Sequence, residues 1–337
     1  MISIPDKKKK LNLGFLGVGW IGRNRMQALL NHSPSKATVI CEPDSQNAEE
    51  AIQNAPDACC VGNAEEMYND TSLDGIVIAT PSALHAEQSI AALNAGKAVF
   101  CQKPLGRTAD EVKKVVAASK AADKLLTVDL SYRYTKAFQE VYRRLINNDI
   151  GEVYAIDLCF HNAYGPDKEW FYDLPRSGGG CVMDLGIHLI DLALWSLGFP
   201  EIKEVRSDLY AQGKKLQLFE DKIEDYASIS FLTETNININ LKCSWHLPAG
   251  KDAEIHASFY GTKGGLAFKN VEGSFYDFTA EKYNGTQTEV LVTPPDSWGG
   301  RAGVVWAEDI LNGKGYDATT AEELIKTATL IDRIYAR

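Results

Sequence analysis

Six residues near the N-terminus, Gly17-Val18-Gly19-Trp20-Ile21-Gly22, constrain this chain more than any other stretch. A G-x-G-x-x-G pattern is weak by itself. Here it follows an apolar run at 11–16 and opens a segment of helical periodicity at 21–31, which is the context a dinucleotide-binding turn requires. In such a turn Gly17 permits the tight reversal, Gly19 removes a side chain from the path of a pyrophosphate, and Gly22 lets the helix pack on the strand. The helix N-terminus adds free N–H groups and partial positive charge, so Trp20 and Ile21 join the glycines as cofactor-contacting positions.

A second element is acidic. Glu42 ends the next apolar run, about 20 residues beyond the glycine turn, where a carboxylate is expected to bind the adenosine ribose. A carboxylate there repels a 2′-phosphate, so NAD is favoured over NADP. Asp44 could play the same part, and the bland alternative is a Glu42-Pro43-Asp44 turn with no ligand role.

A length of 337 residues is enough for two domains. Apolar runs at 11–16, 38–41, 58–61, 75–79, 98–101 and 125–129 alternate with helical patterns at 21–31, 83–94 and 109–121. That alternation predicts a doubly wound parallel sheet, an α/β domain over residues 1–130. Gly96 falls where a left-handed helix cap is wanted. Beyond residue 130 the order changes. A helix at 136–147 and a strand through Phe160 come first. A Gly178-Gly179-Gly180 run then leads into an apolar helix to about Leu197. Strand-like segments follow at 201–209, 226–232, 236–244, 253–260 and 265–269, and helices at 298–312 and 321–335 close the chain. Consecutive strands predict an α+β domain over 131–337 with an open, mostly antiparallel sheet, its last helices free to pack back on the first domain.

The net charge of -10 disfavours a nucleic-acid partner, and the one basic run, Lys7 to Lys10, reads as a solvated arm. Seven cysteines without a C-x-x-C pair exclude a zinc ribbon and a disulfide framework. No apolar stretch of membrane-spanning length and no signal core stand out, so a cytoplasmic protein with no membrane partner is expected.

Three further motifs carry chemistry. Ala79-Thr80-Pro81-Ser82-Ala83-Leu84-His85 follows the fourth run, Gln102-Lys103-Pro104-Leu105 the fifth, and the glycine run leads to Asp184-Leu185-Gly186-Ile187-His188. Thr80 and Pro81 suit the cap and first position of a helix. Asp184 and His188 are four apart, one helical turn on a shared face. Lys103 leaves a strand at the carboxyl end of a parallel sheet, where such folds bind ligands, so the three groups meet if the second domain covers that crevice. Oxidising a secondary alcohol needs a base. His188 suits it at neutral pH, with Lys103 stabilising charge on the same oxygen, and Lys103 with a lowered pKa is the alternative base. A metal is not expected, because a third and fourth ligand at fitting spacing are missing around Asp184 and His188. Arg133, Arg176 and Trp170 are candidates for holding a polar substrate.

Together these motifs resemble the glucose–fructose oxidoreductase / inositol dehydrogenase / rhizopine-catabolism family, Gfo/Idh/MocA, over nearly the whole chain. The resemblance implies an NAD(P)-dependent oxidoreductase of sugars and cyclitols, with Lys103, Asp184 and His188 in the catalytic positions. It places Thr80, Pro81 and His85 near the nicotinamide ribose, and implies a homodimer or homotetramer through the C-terminal sheet. One position departs: Gln102 stands where the family has Glu. Two other readings are an NAD-dependent glycosidase of the same fold and a non-enzymatic dinucleotide sensor.

Overall fold

The computed structural model describes residues 10–217 and 222–337. Residues 7–9 of the basic run lie outside the described residues. The chain divides into two compact units. The first takes residues up to Leu105 together with Glu111–Asp129 and Gly299–Ala321, and the second takes Gly106–Asp110, Leu130–Trp298 and Glu322–Arg337.

The first unit is a βα alternation: β1 Leu11–Leu16, α1 Trp20–His32, β2 Ser35–Cys41, α2 Ser45–Asn54, β3 Cys59–Val61, α3 Ala64–Asn69, β4 Gly75–Ile78, α4 Ser82–Asn94, β5 Ala98–Cys101, α5 Ala109–Ala122 and β6 Leu126–Val128. The strands are all parallel, in the order β3-β2-β1-β4-β5-β6, so the order reverses between β1 and β4. Strands covered on both faces must be apolar throughout, which is why Leu13, Phe15, Ile76, Ile78, Val99 and Phe100 are buried and read as unbroken runs. Gly96 takes the expected left-handed conformation (φ +76°). A helix from the far end of the sequence, Arg301–Leu311, belongs to this unit. Its buried Trp306 packs on Phe100, ring centroids 5.7 Å apart.

The second unit contains α6 Lys136–Ile146, β7 Val153–Asn162, α7 Leu174–Ser177, a π-helical turn Val182–Gly186 running into α8 Ile187–Ser196, and strands β8 Ile202–Ala211, β9 Lys214–Lys215, β10 Tyr226–Thr233, β11 Asn238–Ser244, β12 Ala253–Gly261, β13 Gly264–Asn270, β14 Phe278–Asn284 and β15 Gln287–Val292. The nine strands form one sheet, β15-β14-β13-β12-β7-β11-β10-β8-β9, antiparallel except for the β7–β11 pair. β10 alternates buried and half-buried residues, as a strand covered on one face does. The inward residues Ile156, Leu158, Ile229, Phe231, Ile239 and Leu241 form one core with Leu189, Ile190 and Leu192 of α8. Contrary to the sequence expectation, the segment Leu174–Ser196 is long and apolar enough to cross a membrane by composition, but 89% of its window is buried inside the protein. It is the core helix of this unit.

Candidate active site

In the first unit, the turn between β1 and α1 sits where the strand order reverses, the position at which open α/β sheets bind ligands. Gly17 has φ +83°, and a Cβ there would lie 2.8 Å from the Ala79 carbonyl group, so the glycine turn and the Thr80 loop lie against each other. A Cβ on Gly22 would come within 2.3 Å of the Gly17 carbonyl oxygen. Gly19 differs: a Cβ there would meet nothing within 4 Å. The protein's own packing makes no demand for glycine at 19, and the open space is what an approaching pyrophosphate needs. Gly19 caps α1 with no side-chain hydrogen bond, so the first turn, from Trp20 through Gly22, offers uncapped N–H groups. The Trp20 indole is 62% exposed, so the backbone is what this residue contributes.

Glu42 accepts hydrogen bonds from the Val18 N–H (2.7 Å) and the Asp44 N–H (3.1 Å), which ties the glycine turn to the end of β2. Asp44 is occupied otherwise: its side chain caps α2 through the Asn47 N–H at 2.9 Å. Of the two acids, Glu42 is the one whose carboxylate contacts the glycine turn. This set of residues fits a dinucleotide.

Thr80 does not cap α4, as the sequence led us to expect. Pro81 occupies the cap position, and the Thr80 hydroxyl donates to Gln88 Oε1 at 2.6 Å. His85 is buried, with Nδ1 2.6 Å from the Pro104 carbonyl oxygen and Nε2 2.7 Å from that of Thr80. Burial holds its pKa below the usual value against those two carbonyls, with Lys103 adding to the depression. His85 therefore ties the Thr80 loop to the Lys103-Pro104 loop, and its ring nitrogens are spent on backbone rather than on a ligand.

Gln102 is buried at the end of β5 and donates Nε2 to Asp129 Oδ2 at 2.5 Å, and the Arg25 Nε donates to the same oxygen at 2.5 Å. A carboxylate that composition gives no reason to notice thus stands beside the amide that replaces the family acid.

In the second unit every residue from 181 to 194 is buried except Asp184 and His188, which are half-buried. Asp184 lies in a π-helical turn rather than in the regular α-helix that the spacing led us to expect. Such turns occur frequently at functional sites. The Trp245 indole donates to Asp184 Oδ2 at 3.1 Å, and the Tyr132 ring lies 4.9 Å from that of His188. Glu224, fully buried, accepts from the N–H groups of Gly180 (2.9 Å) and Val182 (3.0 Å) and from the Tyr335 hydroxyl (2.7 Å). It pins the glycine turn between α7 and the π-helical turn that carries Asp184. Burial raises its pKa, against the pull of those donors.

Trp170 is half-buried and stacks on Phe171, centroids 3.8 Å apart, while Tyr172 packs edge-on against Trp245. The aromatic loop therefore reaches Asp184 through Trp245. Arg176 is exposed in α7. Arg133 is not available for a substrate. It donates to both Asp191 oxygens (2.7 and 2.6 Å) and to Glu323 (2.8 Å), over the faces of Trp195 and Phe199. Burial opposes its charge, but the two carboxylates more than offset this and raise its pKa. A buried acid on α8 needs this cation, and the sequence pattern does not reveal that demand. Glu224, Tyr132 and Asp129 went unnoticed because only long-range contacts define them.

Residues 11–130 match the oxidoreductase family described as having an NAD-binding Rossmann fold, and residues 138–267 match the GFO/IDH/MocA C-terminal domain. The chain belongs to the Gfo/Idh/MocA family of oxidoreductases. It is an NAD(P)-dependent enzyme of that family. It is 26% identical to the D-apiose dehydrogenase of Paraburkholderia graminis, over 97% of this chain and 87% of that protein. It is likewise 26% identical to the inositol 2-dehydrogenase of Salmonella typhimurium, over 84% of this chain and 80% of that protein. Among solved structures it resembles a 3-ketoreductase from Actinomadura kijaniata in complex with NADP and TDP-benzene (TM-score 0.83, 19% identity, 97% and 98% of the two chains). It also resembles a levoglucosan dehydrogenase in complex with NADH and L-sorbose (TM-score 0.82, 21% identity, 97% and 96%).

Proposed function

We propose that this enzyme moves a hydride between the nicotinamide of NAD and a secondary alcohol or ketone of a sugar, sugar derivative or cyclitol. The observation that carries the reading is the buried helix whose two accessible residues are an acid and a histidine. The named activities of the relatives on apiose and inositol support the substrate class. When bound, NAD supplies the hydride acceptor. His188 exchanges the hydroxyl proton, for which an imidazole is suited near neutral pH. Lys103 hydrogen-bonds the same oxygen and stabilises its developing charge. Asp184, fixed by the Trp245 indole, orients the substrate. Trp170 and Arg176 supply a stacking face and a charge for a polar ring.

Gly17, Gly19, Gly22 and the N–H groups of the first turn, Trp20 and Ile21 included, hold the pyrophosphate, and Glu42 takes the adenosine ribose in preference to a 2′-phosphate. Gln102, Thr80 and Pro81 meet the nicotinamide half, with His85 holding their two loops in place. Two copies assemble through the C-terminal sheet into a homodimer, or two pairs into a homotetramer. Seven free cysteines accord with a cytoplasmic setting. The test is absorbance at the NADH band across sugars, sugar acids and inositols, with NAD and NADP in parallel and with Lys103→Met and His188→Asn variants. We expect turnover with NAD, reduced at least about a hundredfold in either variant. Near-wild-type turnover in both variants overturns the assignment, and a strong preference for NADP overturns the role of Glu42.

A further inference from the structure

The open face of the nine-stranded sheet carries a group of side chains that hydride transfer does not use. β7 and β12 run antiparallel, with Cys159 opposite His256 and His161 opposite Glu254. Ligand atoms of Cys159, Glu254 and His256 all lie within 4.8 Å of one another, and all four side chains line the same shallow cavity. Cys159 is 8% exposed, so its sulfur sits at the floor, while Glu254 and His256 are half-buried around it. His161 lines the same cavity but stands outside this cluster, its Nδ1 2.8 Å from the Ser244 hydroxyl.

We propose that Cys159, Glu254 and His256 form a binding site for a borderline transition-metal ion, Zn2+ in particular, with a water completing the shell. One sulfur, one imidazole nitrogen and one carboxylate oxygen make a donor set that Zn2+ accepts and that Mg2+ and Ca2+ do not prefer. A thiolate and a carboxylate neutralise its charge. The basic side chains nearby are movable. Lys242, paired in register with Cys159, is exposed, and Lys251 reaches Glu254 only at 3.5 Å from a partly exposed position. Lys269 is already bound to Glu281 at 2.8 Å. One chain supplies all three protein donors, and none belongs to the proposed catalytic set, so the ion has a structural rather than a chemical part to play.

The test uses the full-length protein, stripped with a chelator and titrated with Co2+ as a spectroscopic probe and with Zn2+ in competition against a chromophoric chelator. We expect one ion per chain and a sulfur-to-cobalt charge-transfer band. Cys159→Ser should abolish the band, and His256→Gln, which keeps the thiol, should weaken Zn2+ binding at least about tenfold, as losses even among supporting residues do. Circular dichroism and thermal unfolding check that both variants are folded, and dehydrogenase activity should be unchanged. Cys59 and Cys60 are exposed neighbours able to bind metal adventitiously, so a Cys59→Ser/Cys60→Ser variant serves as control. Absence of a stoichiometric ion overturns the proposal, as does a band that survives Cys159→Ser and disappears with Cys59 and Cys60.

Discussion

Replacing Gln102 with Glu restores the residue usual in the family, yet it should damage this protein. The Gln102 amide donates to Asp129 Oδ2 at 2.5 Å, and both side chains are buried. A glutamate would set two carboxylates at that contact, where the Arg25 guanidinium also reaches Asp129 Oδ2 at 2.5 Å. Two like charges about 4 Å apart repel by about 4 kcal/mol at an effective dielectric constant of about 20. The pair escapes part of this by keeping one proton, which raises the folded-state pKa of the shared site. A net cost of about 3 kcal/mol at pH 8 follows, or roughly 6–12 °C in Tm at about 2–4 °C per kcal/mol. The sign follows from linkage. Below the unfolded carboxylate pKa, about 4, both states are protonated and the penalty vanishes. It grows as pH rises, because the unfolded chain ionises freely and the folded pair does not. The assay is thermal unfolding of wild type, Gln102→Glu and Gln102→Glu/Asp129→Asn from pH 4 to 8. The double variant again places one carboxylate against one amide and should recover most of the loss. An unchanged Tm at pH 8, a pH-independent loss, or failure of Asp129→Asn to rescue would refute the reasoning.

Other variants separate structural from functional roles. Gly19→Ala should leave Tm within about a degree, since a Cβ there meets nothing within 4 Å, while weakening NAD binding measured by calorimetry at least tenfold (about 1.4 kcal/mol). Unchanged NAD affinity would remove the pyrophosphate from that turn. Arg133→Ala should cost about 3–5 kcal/mol in denaturant unfolding because it strands buried Asp191. A raised KM with unchanged stability would return Arg133 to the substrate site. Hydrogen bonding to Arg143 holds the Glu140 carboxyl down to about 2, so Glu140→Gln should cost under about 1 kcal/mol near neutral pH. Because that pKa is depressed, the difference should fade as pH drops from about 4.5 towards 2, and a difference that persists at pH 2 would contradict the assignment.

How much of this was legible in the sequence depended on the range of the contacts. Doubly covered strands such as β1 and β4 must be apolar along their whole length, so they stood out. α2 (Ser45–Asn54) and α3 (Ala64–Asn69) each bury a single residue, Ala51 and Met67, and carried no usable periodicity. β15 is mostly exposed and likewise escaped notice. At the site, the glycine turn and the Asp184/His188 spacing are local patterns and were readable. Glu224 was not: it lies among Asp221, Lys222 and Asp225, a stretch that reads as a solvated loop, and only the returning C-terminus with Tyr335 makes it a buried anchor. Arg133 was misread for a related reason, because its partners Asp191 and Glu323 are far along the chain. Asp129 closes a strand with an acid that gains meaning only beside Gln102.

The proposed reaction moves a hydride between a secondary carbinol carbon and the nicotinamide ring. The most direct measurement is deuterium transfer. A sugar or inositol that turns over is deuterated at its carbinol carbon and incubated with NAD, and the reduced cofactor is examined by mass spectrometry and proton NMR. One deuterium at the nicotinamide C4 position per substrate oxidised is expected, lost together with turnover in Lys103→Met and His188→Asn. Substrate consumption with no deuterium in the nicotinamide would contradict it.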